Sequence, residues 1–387
     1  MKKNLFLGLA AVAAGLCLTA CNGKSEANVE AVDSVSVSGL NVADFATDST
    51  NLYILKNEAG MEVCFTNFGG RIVSIMVPDK DGNMQDVCLG HDNIADYIKY
   101  GADGCNFGAL IGRYGNRIAK GQFTLDGENY QLPINNGPNS LHGGGPVAFH
   151  NRIWEANKID NQVIEFSTTS ADGEDGYPGN IEVKVTYTVT NDNCLQITYE
   201  ATTDKATVLN LTNHCYFNLS GDASKDCLDE ILTIDADKFT AVDADVAVTG
   251  EELSVEGTPF DFRLPTAIGE RIDDETSEQI VNGKGYDHNW ILNTGGDITK
   301  CFATLEDPNS GITMQMFTDQ PGVQFYAGNF LDGSFVGKKG VKYPRRSAFC
   351  FETQHYPDSP NHPEWPSTTL RPGEQYLTTT IYKFGVK

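Results

Sequence analysis

Apolar and polar residues alternate at every second position in stretch after stretch of this chain. The clearest runs are Met61–Phe68 (MEVCFTNF), Ile181–Val189 (IEVKVTYTV), Cys194–Tyr199 (CLQITY) and Ile312–Phe317 (ITMQMF). A period of two sends successive side chains to opposite faces, so each run reads as a half-buried strand. Turn-forming pairs lie between such runs: Asp81–Gly82, Asp126–Gly127, Asn136–Gly137, Asn282–Gly283 and Asp332–Gly333. Helical windows are few and short, and Asp92–Tyr100 is the best of them. Strands do not alternate with helices, which argues against a doubly wound sheet or a TIM barrel. From about Leu40 to Lys387 there is no linker, repeat or low-complexity segment. The expectation is one all-β domain over 40–387, a large antiparallel β sandwich.

The first residues read as an address. Lys2 and Lys3 precede an apolar run of 16 residues, Leu5 to Ala20. That is short of the roughly 20 a membrane helix needs and suits a signal-peptide core. The run ends in Leu18-Thr19-Ala20-Cys21, small residues before a cysteine, as in a bacterial lipoprotein box. The expectation is a signal peptide over 1–20, lipidation of Cys21, and a flexible tether over 21–39 rich in Ser, Ala, Val, Asn and Glu. Lipid on Cys21 would hold an exported protein on the periplasmic side of a membrane or at the cell surface without any span.

Nucleic acid is excluded as a partner by charge. The chain carries 28 Lys+Arg against 52 Asp+Glu, a formal charge of −24, and has no basic run to meet phosphates. Of 10 cysteines, Cys17 leaves with the signal and Cys21 takes the lipid. The rest are Cys64, Cys88, Cys105, Cys194, Cys215, Cys227, Cys301 and Cys350. None forms a C-x-x-C pair and several sit in apolar strand-like runs, so most are expected to be free and buried. His288 and His355 could be ligands with Glu352, but no H-x-H or H-E-x-x-H spacing supports a metal site.

Three strand-like segments each carry one polar face. In Asn210–Leu219 (NLTNHCYFNL), Asn210, Thr212, His214, Tyr216 and Asn218 share a face; Leu211, Asn213, Cys215, Phe217 and Leu219 share the other. In Phe349–Tyr356 (FCFETQHY), Phe349 and Phe351 point one way, Glu352 and Gln354 the other. In Val323–Ala327 (VQFYA), Gln324 and Tyr326 oppose Val323, Phe325 and Ala327. Exposed strand faces usually carry Lys, Glu and Thr. Faces of imidazole, phenol, amide and one carboxylate fit a polar cleft, and that inventory suits a sugar, whose hydroxyls want paired donors and acceptors. Gly112–Arg117 lacks the lysine of a phosphate loop and the G-x-G-x-x-G of a dinucleotide fold.

Eight motifs, in order, resemble the aldose 1-epimerase (galactose mutarotase) family: Gly112–Ile118 (GRYGNRI), Asn139–Gly144 (NSLHGG), Gly173–Gly179 (GEDGYPG), Asn210–Leu219, Tyr286–Asn289 (YDHN), Gln320–Asn329 (QPGVQFYAGN), Phe351–Gln354 (FETQ) and Leu370–Glu374 (LRPGE). The resemblance runs from about residue 40 to the end. It implies a large antiparallel β supersandwich with the sugar in an open cleft, and an isomerase that exchanges the α and β anomers of free aldoses such as glucose and galactose without a cofactor. It further implies Glu352 as general base, His214 as general acid and His142 as a second imidazole. Asp287 would bind hydroxyls, with Asn116, Arg117, Tyr216 and Gln324 lining the site. Two departures stand out. Tyr114-Gly115 replaces the more usual Val-Ala, which is expected to reshape the cleft, and Cys215 replaces Ser or Thr on the face away from His214.

Other readings use the same residues. Glu352 and Asp287 could flank a glycosidic bond as the carboxylate pair of a glycosidase. The same cleft could serve a carbohydrate-binding lipoprotein without catalysis. A sugar-phosphate relative would want cations, for which only Arg113, Arg117 and Lys120 are at hand.

Overall fold

The computed structural model describes residues 34–101 and 106–387. The expected signal peptide, Cys21 and Cys105 lie outside the described residues. The described end of the expected tether, 34–39, is held against the domain: Val37 N–H donates to Glu62 Oε1 (2.6 Å) and Ser38 Oγ to Ser74 Oγ (3.1 Å). Glu62 is fully buried, and this donor helps offset the cost of taking its carboxylate out of water.

The described strands pair antiparallel. Nine form one sheet, in the order Glu155–Lys158, Val163–Ser170, Ile181–Val189, Cys194–Thr203, Tyr376–Val386, Ile312–Thr318, Cys301–Glu306, Ile231–Ile234 and Thr266–Ala267. Six form a second, in the order Tyr216–Phe217, Phe349–Gln354, Gly322–Tyr326, Asp287–Ile291, Lys238–Val242 and Val248–Ser254. A four-stranded sheet over Leu52–Asp86 completes the framework. The alternation read from Ile181–Val189 is realised residue by residue, with every odd position buried. Its inner residues join Phe325, Phe349, Phe351 and Trp290 in the main core. Phe325 stacks on Phe351 with ring centroids 5.0 Å apart. Burying such side chains contributes about 1.5–3 kcal/mol each, which fixes the inner face of the six-stranded sheet and so aims its other face at the cleft.

Local signals mostly hold. The helical window becomes a helix over Ile94–Gly101. Asp126–Gly127 is a two-residue hairpin turn with both residues at positive φ (51° and 82°), as a type I′ turn requires. Asn282–Gly283 is not a hairpin turn: it ends the helix Glu278–Gly283, whose C-cap is the left-handed Lys284. Asn210–Leu219 is not one strand either. Thr212–His214 pairs with Ala109–Ile111, and Tyr216–Phe217 pairs with the strand carrying Glu352. The break at Cys215 hands the chain from one sheet to the other, yet Leu211, Cys215, Phe217 and Leu219 still enter the main core. All seven described cysteines are free and all but Cys301 are buried.

Candidate active site

The cleft is floored by the outer face of the six-stranded sheet. Register sets Gln324 opposite Glu352 and Asn289 opposite Gln324, so an acid and two amides lie in a row across three central strands. Asp287 stands opposite Tyr326, and Tyr326 opposite Cys350. His214 arrives from the switch between sheets, immediately before the break.

The opposite wall comes from two chain segments held by a short ladder, Arg117 with Leu141 and Ile118 with Ser140. Asn116 and His142 flank it, both with left-handed backbone (φ 62° and 54°). Non-glycine residues rarely adopt that region, and such strain collects at functional positions. Here it is held by reciprocal bonds: His142 N–H donates to Asn116 O (3.1 Å) and Asn116 N–H to His142 Nδ1 (3.1 Å). The second bond makes His142 Nδ1 an acceptor, so its Nε2 carries the proton. Arg117 Nε donates to Asn136 Oδ1 (3.0 Å).

These walls enclose a cavity of about 950 Å³ lined by Asn116, Arg117, His142, His214, Tyr216, Asp287 and Glu352 together with Tyr326. Seven of the eight expected catalytic and sugar-binding residues therefore converge on one space. The eighth, Gln324, is not among the lining residues; its Nε2 donates to Asp287 Oδ1 (2.8 Å) from within the sheet. Tyr114 does not reach the cleft. It is buried in a separate cluster with Phe123 and Tyr177, where its hydroxyl donates to Tyr356 O (3.3 Å) and accepts from Ser359 N–H (3.1 Å). Arg113 is likewise taken up by Ser170, Ala171 and Pro178. His288 packs among Phe239, Phe260 and Trp290, and His355 Nδ1 meets Gln320 Oε1 (2.8 Å), so neither is a ligand beside Glu352.

The sequence reading did not single out His150, which lines the cleft, or the wall of Phe68, Ile98, Phe330 and Phe335. Tyr326 was legible, since it shares a strand face with Gln324, and Phe68 closes the alternating run Met61–Phe68; His150, Ile98, Phe330 and Phe335 carry no period-two signal.

His214 Nε2 lies 3.7 Å from Glu352 Oε1, too far for a direct hydrogen bond but close enough to share a reacting group. Among the described residues Glu352 Oε2 is buried without a hydrogen-bond partner. Burial pushes the Glu352 carboxyl well above the usual range; the Asp287 charge adds to this and Arg117 opposes it. Asp287 is raised by burial too, against the pull of Arg117 and the Gln324 hydrogen bond. Burial lowers His214 to about 4, and lowers His142 well below its ordinary value with help from His214, His150 and Arg117. Burial thus favours the uncharged form of each partner, Glu352 with a mobile proton on its carboxyl and His214 as neutral imidazole.

His142, His214 and Glu352 also bring three potential ligand atoms within 4.8 Å of one another. Linear motifs could not reveal this group because its members come from three distant segments. Its fit to a metal is poor at His142, because ligation through Nε2 would move the proton to Nδ1, against the Asn116 N–H that points at it.

Residues 51–383 match the family model for aldose 1-epimerase. The chain is 44% identical over 326 residues to the galactose mutarotase of Bos taurus, covering 84% of this chain and 92% of that protein. It is 40% identical over 337 residues to the aldose 1-epimerase of Escherichia coli K12, covering 86% and 94%. Among solved structures, a GalM/aldose epimerase homologue from C. elegans superposes with a TM-score of 0.80 at 33% identity, covering 87% of this chain and 99% of that one. The galactose 1-epimerase of Lactobacillus acidophilus gives 0.75 at 28% identity, covering 88% and 96%. Family model, relatives matched along nearly their whole length and a shared sheet architecture all point one way: this chain belongs to the aldose 1-epimerase family.

Proposed function

We propose that the chain interconverts the α and β anomers of free aldoses, with Glu352 and His214 moving the protons. The reading is carried by one observation, a buried carboxylate and imidazole 3.7 Å apart on the floor of a cleft lined with sugar-matching groups. Bound hydroxyls restore a polar setting, and the mobile proton passes from Glu352 to His214. Glu352 then takes the C1 hydroxyl proton while His214 Nε2–H protonates the ring oxygen. The C1–O5 bond breaks with its electron pair left on oxygen, and C1 becomes the aldehyde carbon. Rotation about C1–C2 presents the other carbonyl face, and the reverse transfers close the ring. Each positioned group contributes about 10²–10⁴-fold. His142 Nε2–H, Asn116, Arg117 and Tyr216 supply donors around the ring.

Polarimetry of freshly dissolved α-glucose and α-galactose with residues 22–387 is expected to show exchange well above buffer, unchanged by EDTA. Loss with EDTA and rescue by zinc would overturn the cofactor-free reading, and release of sugar from aryl glycosides would favour a glycosidase. Asp287→Asn is expected to act mainly through KM, because Asp287 holds hydroxyls in ground and transition states alike. A lost charge-assisted hydrogen bond of about 1.5–3 kcal/mol corresponds to roughly 10- to 150-fold in KM. A pure kcat effect would reassign Asp287 to the chemistry.

The lipoprotein reading belongs with this proposal. Leu18-Thr19-Ala20-Cys21 after the basic, apolar start supports acylation at Cys21 and an exported, membrane-held enzyme. Wild type is expected to enter the detergent phase and Cys21→Ser to remain aqueous; equal aqueous recovery would remove the anchor.

A further inference from the structure

The strand Phe349–Gln354 offers His214 two partners, not one. Cys350 and Glu352 are two residues apart and so share the cleft face. Glu352 Oε1 faces Nε2 of the imidazole at 3.7 Å, and Cys350 Sγ lies 3.5 Å from Nδ1. The thiol is fully buried beside Tyr216 and Tyr326, its cross-strand neighbours, and both phenols ring His214 (centroids 5.0 and 6.2 Å). The imidazole is thus bracketed along its length by one strand.

We infer that Cys350 is a positioning residue: its sulfur accepts from His214 Nδ1–H and keeps Nε2 as the nitrogen that works on the sugar. The inference rests on the anomer-exchange reading. A single mobile proton passes between Glu352, Nε2 and the ring oxygen, so Nδ1 must keep its own proton in every state. An acceptor at Nδ1 holds that tautomer; without one, a neutral ring can carry its proton on either nitrogen. Sulfur is a weak acceptor, and this matters. A carboxylate behind Nδ1 would stabilise imidazolium strongly and oppose release of the Nε2 proton; the thiol orients the ring without holding its charge.

The test uses nitrogen-15 histidine NMR on the full chain, with the His214 signal assigned by its loss in His214→Asn. The sugar-free wild type is expected to show Nδ1 protonated and Nε2 bare. Cys350→Ala is expected to show mixed tautomers and a kcat about 10- to 100-fold lower, the size of loss known for partners behind metal-bound histidines, with KM little changed. Cys350→Ser, which keeps an acceptor, should recover most of the kcat. A wild-type spectrum with the proton on Nε2 overturns the inference and needs no variant to fold. So does a Cys350→Ala protein with wild-type kcat, pH profile and tautomer. Should the wild type exchange no anomers, the functional reading fails while the spectrum still decides the Cys350 contact.

Discussion

Glu352→Gln is expected to lower kcat about 10²–10⁴-fold while sugar binds nearly as in the wild type. Glutamine keeps the length and the hydrogen-bonding reach of the side chain but cannot take the C1 hydroxyl proton. The carboxyl is buried, with one oxygen unpartnered among the described residues; without it His214 can act as base or as acid, but the exchange needs both at once. The pH profile carries the same logic. The active form has one proton on the Glu352–His214 pair, whichever atom holds it. Below about 4 His214 gains a second proton, and the pair can no longer accept one. At high pH the last proton leaves, and burial has moved that limb above the ordinary carboxylate range. The profile of kcat/KM should therefore be a wide bell whose limbs belong to the pair, not to either residue. Asp287→Asn removes a charge that raises Glu352, so its alkaline limb should move down. Near-wild-type kcat in Glu352→Gln would show that the base is another group.

How much of this was legible in the sequence depends on range. Period-two alternation gave the sheets because each strand's core face is decided by its own side chains, as in Ile181–Val189. It also separated Glu352 and Gln324 from Phe351 and Phe325. It failed at Asn210–Leu219, where alternation continues through a break that hydrogen bonding alone reveals. The family resemblance misjudged Tyr114, whose neighbours in sequence are cleft residues but whose ring turns into a separate cluster. The Cys350–His214 contact was out of reach: the pair is far apart in sequence, and a cysteine beside two phenylalanines reads as core. The left-handed backbone at Asn116 and His142 left no mark either, since neither is glycine.

The largest loss of stability should come from a pair that no pattern announces. Asp86→Ala is expected to cost about 3–5 kcal/mol, because it strands a buried ammonium. Lys338 Nζ donates to Asp86 Oδ2 (2.6 Å) and to Val73 O (2.7 Å), with both side chains largely buried. Burial, the largest single effect, would lower the Lys338 pKa, but Asp86, Cys88 and Tyr343 together more than offset it, Asp86 foremost, and the group stays well above its ordinary value. Without Asp86 only a carbonyl remains as a close oxygen, and the lysine must lose its proton or admit water. The contact also joins distant pieces: Val73 and Asp86 belong to the four-stranded sheet, while Lys338 opens a turn just after Phe335 of the cleft wall. Tyr343 braces the same turn, accepting from Lys338 N–H (2.9 Å) and donating to Gly90 O (2.7 Å). Loosening should therefore reach the sugar through Phe335 and raise KM before it touches kcat. Urea unfolding measures the stability change, and Asp86→Leu combined with Lys338→Met separates charge from packing. The double variant removes both charges and should lose less than Asp86→Ala alone. A single variant within about 1 kcal/mol of the wild type, the worth of an exposed pair, would mean that water already reaches the ammonium and that the turn is held by Tyr343.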